Sequence, residues 1–537
     1  MTRKIRTLGA PAAVCLLTLI AAPPLPARVP KEEPPAVQPS ELKKMSIEEL
    51  MEIDVTSVSR HTERVSGAAA AITVITGEDV RRSGANNLPD ALRMIVSLHV
   101  AQFDGRTWAI SARGFNITTA NKLLVLIDGR SVYTPLFSGV FWDVQDVMLE
   151  DVERIEVIRG PGAALWGANA VNGVINILTK NARETVGRLA NVGAGTEERG
   201  FGSFRQGGKV GERTWYRAYG KYSYRDALEF ESGASARDPL RRGQAGFRID
   251  RDIEEDAGRG SFTLQGDAYQ GRSAEAIRSD TELDGGNLLG RWSRSKSEDS
   301  GVDLQVYYDR THRLIPNSFE ERRDTLDLDF QHRLPLGRRH GVVWGGGYRV
   351  TSDEVENSAA TVFIPDQRTQ HLFSAFLQDD FELSPSLRLT AGSKLEVNDS
   401  TGLEVQPSVR FAWTPNEHRT VWGAVSRAVR TPTRLDEDLR FLAGPVVTLR
   451  GDRDFDSEEL LAYELGYRHQ PLRNQVLDAA LFYNVYDNLR SQEPSATRSG
   501  LPIVLANKLN AKTWGLELRA SWQPLPWWRV YAGYAFL

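Results

Sequence analysis

Two periodicities divide the chain. From residue 183 onward, apolar and polar positions alternate in segments of about ten residues, the length a tilted strand needs to cross a bilayer. In TWYRAYGKYSYRD, Trp215, Arg217, Tyr219 and Lys221 fall on one face, and Tyr216, Ala218, Gly220 and Tyr222 on the other. VDLQVYYDRT, HLFSAFLQDDFEL, LRLTAGSKLEV, RTVWGAVSRAV and RVYAGYAFL repeat the theme between polar, Gly- or Pro-bearing turns. About 17 such segments follow one another, with aromatic residues near their ends, as a girdle at lipid headgroups would place them. Arg313–Asp324 and Arg434–Ser457 read as longer, outward links. The pattern predicts a transmembrane antiparallel β-barrel; the competing readings are a soluble β-solenoid and a string of β-sandwiches.

Between residues 69 and 180 the texture is α+β. AAITVITGEDVRRSG predicts a strand, a turn and a short helix capped by Thr76 or Asp79. LPDALRMIVSLHV predicts an amphipathic helix with Leu88, Leu92 and Ile95 on one face. AISARGFN, KLLVLIDGRSVY, VERIEVIRG and GVINILTK predict short strands, with Asp128–Arg130 as a hairpin turn. Upstream, residues 28–45 are rich in Pro and Glu and predict no structure. Ser46 and Glu49 form a capping-box pattern for a helix ending at Met51. The segment Ile53, Asp54, Val55, Thr56, Ser57, Val58 reads as extended. Residues 1–27 read as a secretion signal: Arg3, Lys4 and Arg6, an apolar run Ala12–Ala22, then prolines up to Ala27.

One stretch, VERIEVIRGPGAALWGANAVNGVINILTK, sets two strands around a rigid elbow of Gly160, Pro161, Gly162, Gly167 and Gly173. Glycine turns sharply and lets backbone approach a wall, and proline fixes one bend. Nothing in the stretch can react.

Composition narrows the function by exclusion. The 537 residues carry a net charge of −4, which gives no electrostatic footprint for nucleic acid. The single cysteine, Cys15, lies in the signal, so disulfides and thiolate metal sites are not expected. The eight histidines form neither H-x-x-x-H nor H-E-x-x-H. Gly195 and Gly200 lack the Lys-Ser/Thr of a phosphate loop. Asp379–Asp380 and Glu320–Glu321 read as solvated or lumen carboxylates rather than as acid/base pairs. No catalytic residue, metal or cofactor is expected, and the chain does not read as an enzyme.

These motifs in order resemble the TonB-dependent outer-membrane receptors. ITVITGEDVRRSGANNLPDALR, SARGFN, LLVLIDGRSVYTPLFSGVFWDV and the elbow stretch resemble that family's plug, and AYELGYR (462–468) and WGLELRA (514–520) resemble strands of its barrel. The resemblance implies a signal (1–27), a periplasmic linker with a candidate TonB box at Ile53–Val58 (28–64), a plug (65–182) inside the lumen, and a barrel (183–537). It implies about 22 strands in all, so about five further C-terminal strands are expected, since the alternation runs to Leu537 with no turn after it. It implies active import of a large scarce ligand, such as a ferric siderophore, cobalamin or haem, driven by TonB with its ExbB/ExbD complex. A passive porin or adhesin-type barrel is the alternative. Family arginines matching Arg113 and Arg159 meet two barrel glutamates, here Glu464 and Glu517, which alternation turns inward. The candidate ligand surface is Phe103, Arg106, Trp108, Tyr133, Phe137 and Trp142 on the plug's apical loops.

Overall fold

The computed structural model describes residues 47–55, 63–255, 258–275, 278–297, 299–497 and 500–537. The signal, most of the linker, Ser46 and its capping box, and Thr56, Ser57 and Val58 lie outside them. Alternation from residue 183 onward produces one antiparallel sheet of 20 strands. Three of these, Thr361–Phe363, Leu439–Ala443 and Val446–Arg450, belong to links between longer strands, which leaves seventeen in the wall. Among the described residues no pairing joins the first wall strand, Gly187–Gly193, to the last, Trp528–Phe536.

The wall inverts the polarity of a water-soluble protein. Along Gly402–Asn416, Leu403, Val405, Val409, Phe411 and Trp413 are exposed, while Glu404, Gln406, Ser408 and Arg410 are buried. An apolar exterior over a polar interior suits lipid outside and a packed lumen inside. One rim carries tight turns, at 211–213, 337–339 and 473–474; the other carries the links 226–239 and 431–457. Arg313–Asp324 is not a loop. Ser300–Ile315 and Phe319–Leu336 pair almost to their tips, because alternation continues above the apolar band with charged residues. The link after Arg430 folds into a helix, Arg434–Glu437, and a hairpin.

The lumen holds a five-stranded sheet in the order Ala71–Thr76, Val152–Arg159, Gly173–Thr179, Leu123–Ile127, Arg130–Ser131. Both of its faces are covered. Ile155, Val157, Ile175 and Ile177 pack against Val80, Leu88, Leu92 and Ile95, and Ile72, Val74, Ile158 and Val174 form a second cluster with Leu124 and Val55. Thr76 caps helix Gly77–Ser83 in a full capping box with Asp79. Asp128 and Gly129 both take positive φ, as a two-residue type I′ turn requires. The predicted helix from Leu88 is shorter than expected. It ends at Leu92, and Leu98–Gln102 pairs with Trp108–Ala112 as a hairpin. The β-branched residues after Met94 favour a strand once a partner is available. Plug and wall are not separable by contacts, since residues 44–537 form a single unit.

Outward position sets a depth-dependent cost for charge. Val409→Arg, midway along its strand, is expected to destabilise the barrel by about 2–4 kcal/mol, and Leu403→Arg near the rim by less than about 1 kcal/mol. Urea titration of folding into lipid vesicles checks the gradient.

Candidate functional site

Arg113 is buried where the plug meets the wall. It follows strand Trp108–Ala112 and opens a run of left-handed residues: Arg113 at φ 55°, Gly114 at 104° and Phe115 at 58°. The two non-glycine positions cost roughly 1–2 kcal/mol each, which the surrounding contacts must offset. The turn aims the guanidinium at the wall. Its Nη1 donates to Glu464 Oε1 at 2.8 Å, and its Nε and Nη2 donate to the Glu517 carboxylate at 3.2 and 3.4 Å. Glu464 and Glu517 sit on wall strands separated by Gln475–Pro494, and that strand supplies Phe482, whose ring centroid lies 4.3 Å from the Arg113 guanidinium. Burial opposes the charge on Arg113, but Glu517 and then Glu464 outweigh it, so its proton is held more tightly than usual. Arg159 reaches the same cluster through Glu517. It lies 3.5 Å from Glu517, donates to Ser97 Oγ at 2.6 Å and to the Ala71 carbonyl at 3.3 Å, and makes no ion pair with Glu464.

The elbow is where backbone meets wall carboxylates. Gly160 has φ 97°, and a Cβ there would stand 2.3 Å from Glu464 Oε1. Gly167 has φ 86°, and a Cβ there would stand 2.1 Å from Glu396 Oε1; Glu396 also accepts from the amide of Ala168 at 2.7 Å. The Pro161 carbonyl accepts from Arg410 Nη2 at 2.9 Å. Gly162 and Gly173 serve the plug itself, lying against Val174 and the Ile158 carbonyl.

Sequence reasoning did not single out several further contacts. Arg468 donates to the carbonyls of Ala68 and Ala70 at 3.2 and 3.1 Å. Asp143 takes both arms of Arg313, at 2.7 and 2.8 Å. Lys122 pairs with Glu458; burial pulls the lysine below its usual value although Glu458 opposes the shift. Alternation marks Arg313, Glu396, Arg410, Glu458 and Arg468 as inward, but many lumen positions are charged, and no pattern along the chain selects the partner.

The candidate ligand residues divide. Trp108 and Trp142 are buried in the plug core, and Phe137 is buried against Val355, Phe363 and Leu439. Tyr133 is half-buried, its hydroxyl accepting from Arg349 at 3.2 Å. Phe103 is 72% exposed and Arg106 partly exposed, on a hairpin tip that bonds through Gly105 to Asp238 at the rim of long links. Of the candidate TonB box, Asp54–Val55 pairs with Glu63–Arg64, and Val55 is buried. Among the described residues no group of three His, Cys, Asp or Glu could hold a metal ion, and no helix is long and apolar enough to cross a membrane.

The family model described as TonB dependent receptor-like, beta-barrel, matches residues 183–537, and the TonB-dependent receptor plug domain model matches residues 64–174. The chain is 23% identical over 460 residues to the vitamin B12 transporter of Vibrio vulnificus, covering 81% of this chain and 70% of that one. It is 25% identical over 533 residues to the ferric enterobactin receptor of Pseudomonas aeruginosa, covering 82% and 70%. The crystal structure of a siderophore receptor from Pseudomonas aeruginosa superposes with a TM-score of 0.68 at 21% identity, over 87% of this chain and 85% of that one.

Removing one partner of the buried cluster strands the others. Glu517→Ala is expected to weaken plug docking by about 3–5 kcal/mol, and adding Arg113→Ala should cost less than the sum of the two single changes. Amide exchange across residues 150–180 in lipid measures both; strictly additive effects would mean that the pair contributes no coupling.

Acid should act at Asp143. Burial raises its carboxyl pKa, Arg313 lowers it more, and the net shift is downward from 3.8. A folded value below the unfolded one stabilises the contact above the unfolded pKa, and that stability is lost as pH falls through the folded value. Exchange of amides 141–148 is expected to stay flat from pH 7 to about 5 and to rise only in stronger acid, after correction for intrinsic rates.

Proposed function

This chain belongs to the TonB-dependent receptors, outer-membrane active transporters of scarce ligands, and we propose that it imports a ferric siderophore or cobalamin when TonB, with its ExbB/ExbD complex, engages the segment Ile53–Val58. One observation carries the reading. A plug fills the lumen and is held by a buried arginine between two wall carboxylates, so nothing large passes unless work is done on it. In this reading Arg113, Glu464, Glu517 and, more weakly, Arg159 lock the plug, and Gly160, Pro161, Gly162, Gly167 and Gly173 let it sit against the wall. The ligand choice follows relatives named for vitamin B12 and ferric enterobactin. Phe103 is the candidate contact that is exposed at the outer rim, with Arg106 partly exposed beside it; Trp108, Phe137 and Trp142 act by packing.

The coupling segment gains affinity by strand addition, in which backbone bonds bind and side chains select. Asp54–Val55 already forms such a ladder within the chain, so the partner strand must replace it. No covalent step enters.

Uptake of radiolabelled cobalamin and of iron from siderophore-containing culture extracts tests the reading in cells lacking other receptors. Uptake of one of the two should stop on collapse of the inner-membrane proton gradient. Uptake that persists would favour a passive barrel. Val55→Pro removes a ladder donor and is expected to abolish uptake while surface binding survives; unchanged uptake would place the coupling segment elsewhere.

A further inference from the structure

A ribbon of short strands crosses the outer mouth. Thr361–Phe363 pairs with Leu439–Ala443, that strand turns back as Val446–Arg450, and Leu449 and Arg450 pair with Ile503 and Val504. The ribbon thus joins the link before wall strand Gln367–Ser384 to wall strand Ile503–Leu525, which are not neighbours in the wall. It lies on the plug. Phe363 and Leu439 pack with Leu136 and Phe137, and none of the four is more than 5% exposed. Beside it, the amides of Arg434 and Leu435 donate to the carbonyls of Pro135 and Leu136 at 3.2 and 2.9 Å. Arg430 and Arg434 are fully buried against Asp436 and Asp438, each pair at 2.7 Å. This part of the plug apex is covered, and a ligand at the surface does not reach it.

The plug hairpin Leu98–Ala112 reaches the mouth elsewhere, where it meets the link 226–239. The Asp238 carboxylate ties the two together. Its Oδ2 accepts from the Gly105 amide at 2.6 Å and its Oδ1 from the Leu228 amide at 2.9 Å. A Cβ at Gly105 would stand 2.0 Å from the Asp238 carbonyl oxygen, so the two backbones touch. The link closes a small hairpin of its own: Ala236 donates to the Leu228 carbonyl at 2.7 Å and Phe230 to the Ala234 carbonyl at 2.8 Å. Each hairpin carries a phenylalanine two residues from the amide that Asp238 holds. Phe103 is 72% exposed and Phe230 is 62% exposed. Two extended residues span about 7 Å, so the two Cα atoms stand at most about 20 Å apart. A lone exposed ring needs no explanation. Two rings on hydrogen-bonded tips joined by one carboxylate form a contact pair whose ordering cost is already met before a ligand arrives.

We propose that Phe103 and Phe230, set by Asp238, form the outer contact for an aryl-bearing iron chelate, on the part of the mouth that the ribbon leaves uncovered. The proposal rests on the transport reading and adds to it the side of the mouth and the class of ligand. Aromatic rings offer flat faces that stack on other rings, whereas an aliphatic chelate gains only general apolar contact from them. Arg106, partly exposed three residues after Phe103, brings a guanidinium suited to the oxygen atoms that such rings carry. Asp238 is a positioning residue here, since both of its oxygens are spent on backbone amides.

The test is binding to the protein in lipid nanodiscs, which needs no TonB. The two probes are a ferric triscatecholate amide chelate and an all-aliphatic ferric trihydroxamate chelate, titrated by calorimetry. The catecholate is expected to bind about tenfold or more tightly. Phe103→Leu and Phe230→Leu keep apolar bulk and charge but remove the ring. Each is expected to weaken the catecholate about tenfold and to leave the hydroxamate unchanged. Phe441, 42% exposed on the ribbon, is the control, and Phe441→Leu should change neither affinity. Equal affinity for the two chelates, or an unchanged catecholate affinity in both ring variants, would overturn the proposal. A tenfold loss in Phe441→Leu would overturn the placement of the site. Binding of cobalamin in place of the catecholate would overturn the ligand class and leave the transport reading standing. Catecholate binding with the expected variant pattern, but without energy-dependent uptake in cells, would count against the transport reading and leave this contact in place.

Discussion

Hydrocarbon offers no hydrogen-bond partner, so every amide and carbonyl within the membrane must be satisfied by the next strand. The rest of the molecule follows from that requirement. Strands paired edge to edge have two faces, and the period of two gives one face to lipid and the other to the lumen. Leu403, Val405 and Val409 take the first, and Glu404, Gln406 and Arg410 take the second. A wall that places charge inside cannot close on an apolar core. What fills it must be polar where it touches the wall and apolar within, and the plug has that distribution: a sheet covered on both faces by its own hydrophobic residues, with Arg113, Lys122 and Asp143 on its outside.

Ion pairs in such a lumen specify position more than they add stability. Taking a guanidinium and a carboxylate out of water costs several kcal/mol each, and their attraction returns most of that only when the geometry is good. Arg113 meets the condition with two carboxylates and a ring face, all within hydrogen-bond or stacking distance. A hydrophobic seal of equal area would be tighter and would not release in steps. Charged contacts break one at a time, and water entering the gap repays each broken pair. A plug held this way is firm at rest and can still be displaced by work applied from one end.

The chain announces its periodicities and hides its pairings. Barrel, plug, hairpin turn at Asp128–Gly129 and helix cap at Thr76 are local patterns, so they are legible in the sequence. The inward direction of Glu464 and Glu517 follows from alternation, whereas AISARGFN reads as strand throughout and the turn at Arg113–Phe115 appears only in the folded chain. What does not follow is which cation faces which carboxylate. Arg159 and Arg113 read alike, yet Arg159 spends its donors on Ser97 and the Ala71 carbonyl because its strand lies beside Ala71–Thr76. The aromatic residues of the apical loops read as candidate ligand contacts for the same reason. Exposure separates Phe103 from Trp108 and Trp142, and exposure is a property of the folded plug.

The chain from Asp54 enters the plug beside the edge strand of its sheet, and the contacts behind it follow in a fixed order. Asp54–Val55 holds to Glu63–Arg64 by a ladder of two residue pairs. Next comes Glu63, bound to Arg388 at 2.7 Å, then the carbonyls of residues 65–70 under Arg468, and then Ala71–Thr76. That strand is the edge of the plug sheet, so it can peel from Val152–Arg159 one pair at a time. Peeling removes the Ala71 carbonyl from Arg159, at the end of the strand that leads into Gly160 and Glu464. The covalent path from the periplasmic end therefore reaches the Arg113 cluster last. A pull on that end would meet the edge strand Ala71–Thr76 before it met the Arg113 cluster.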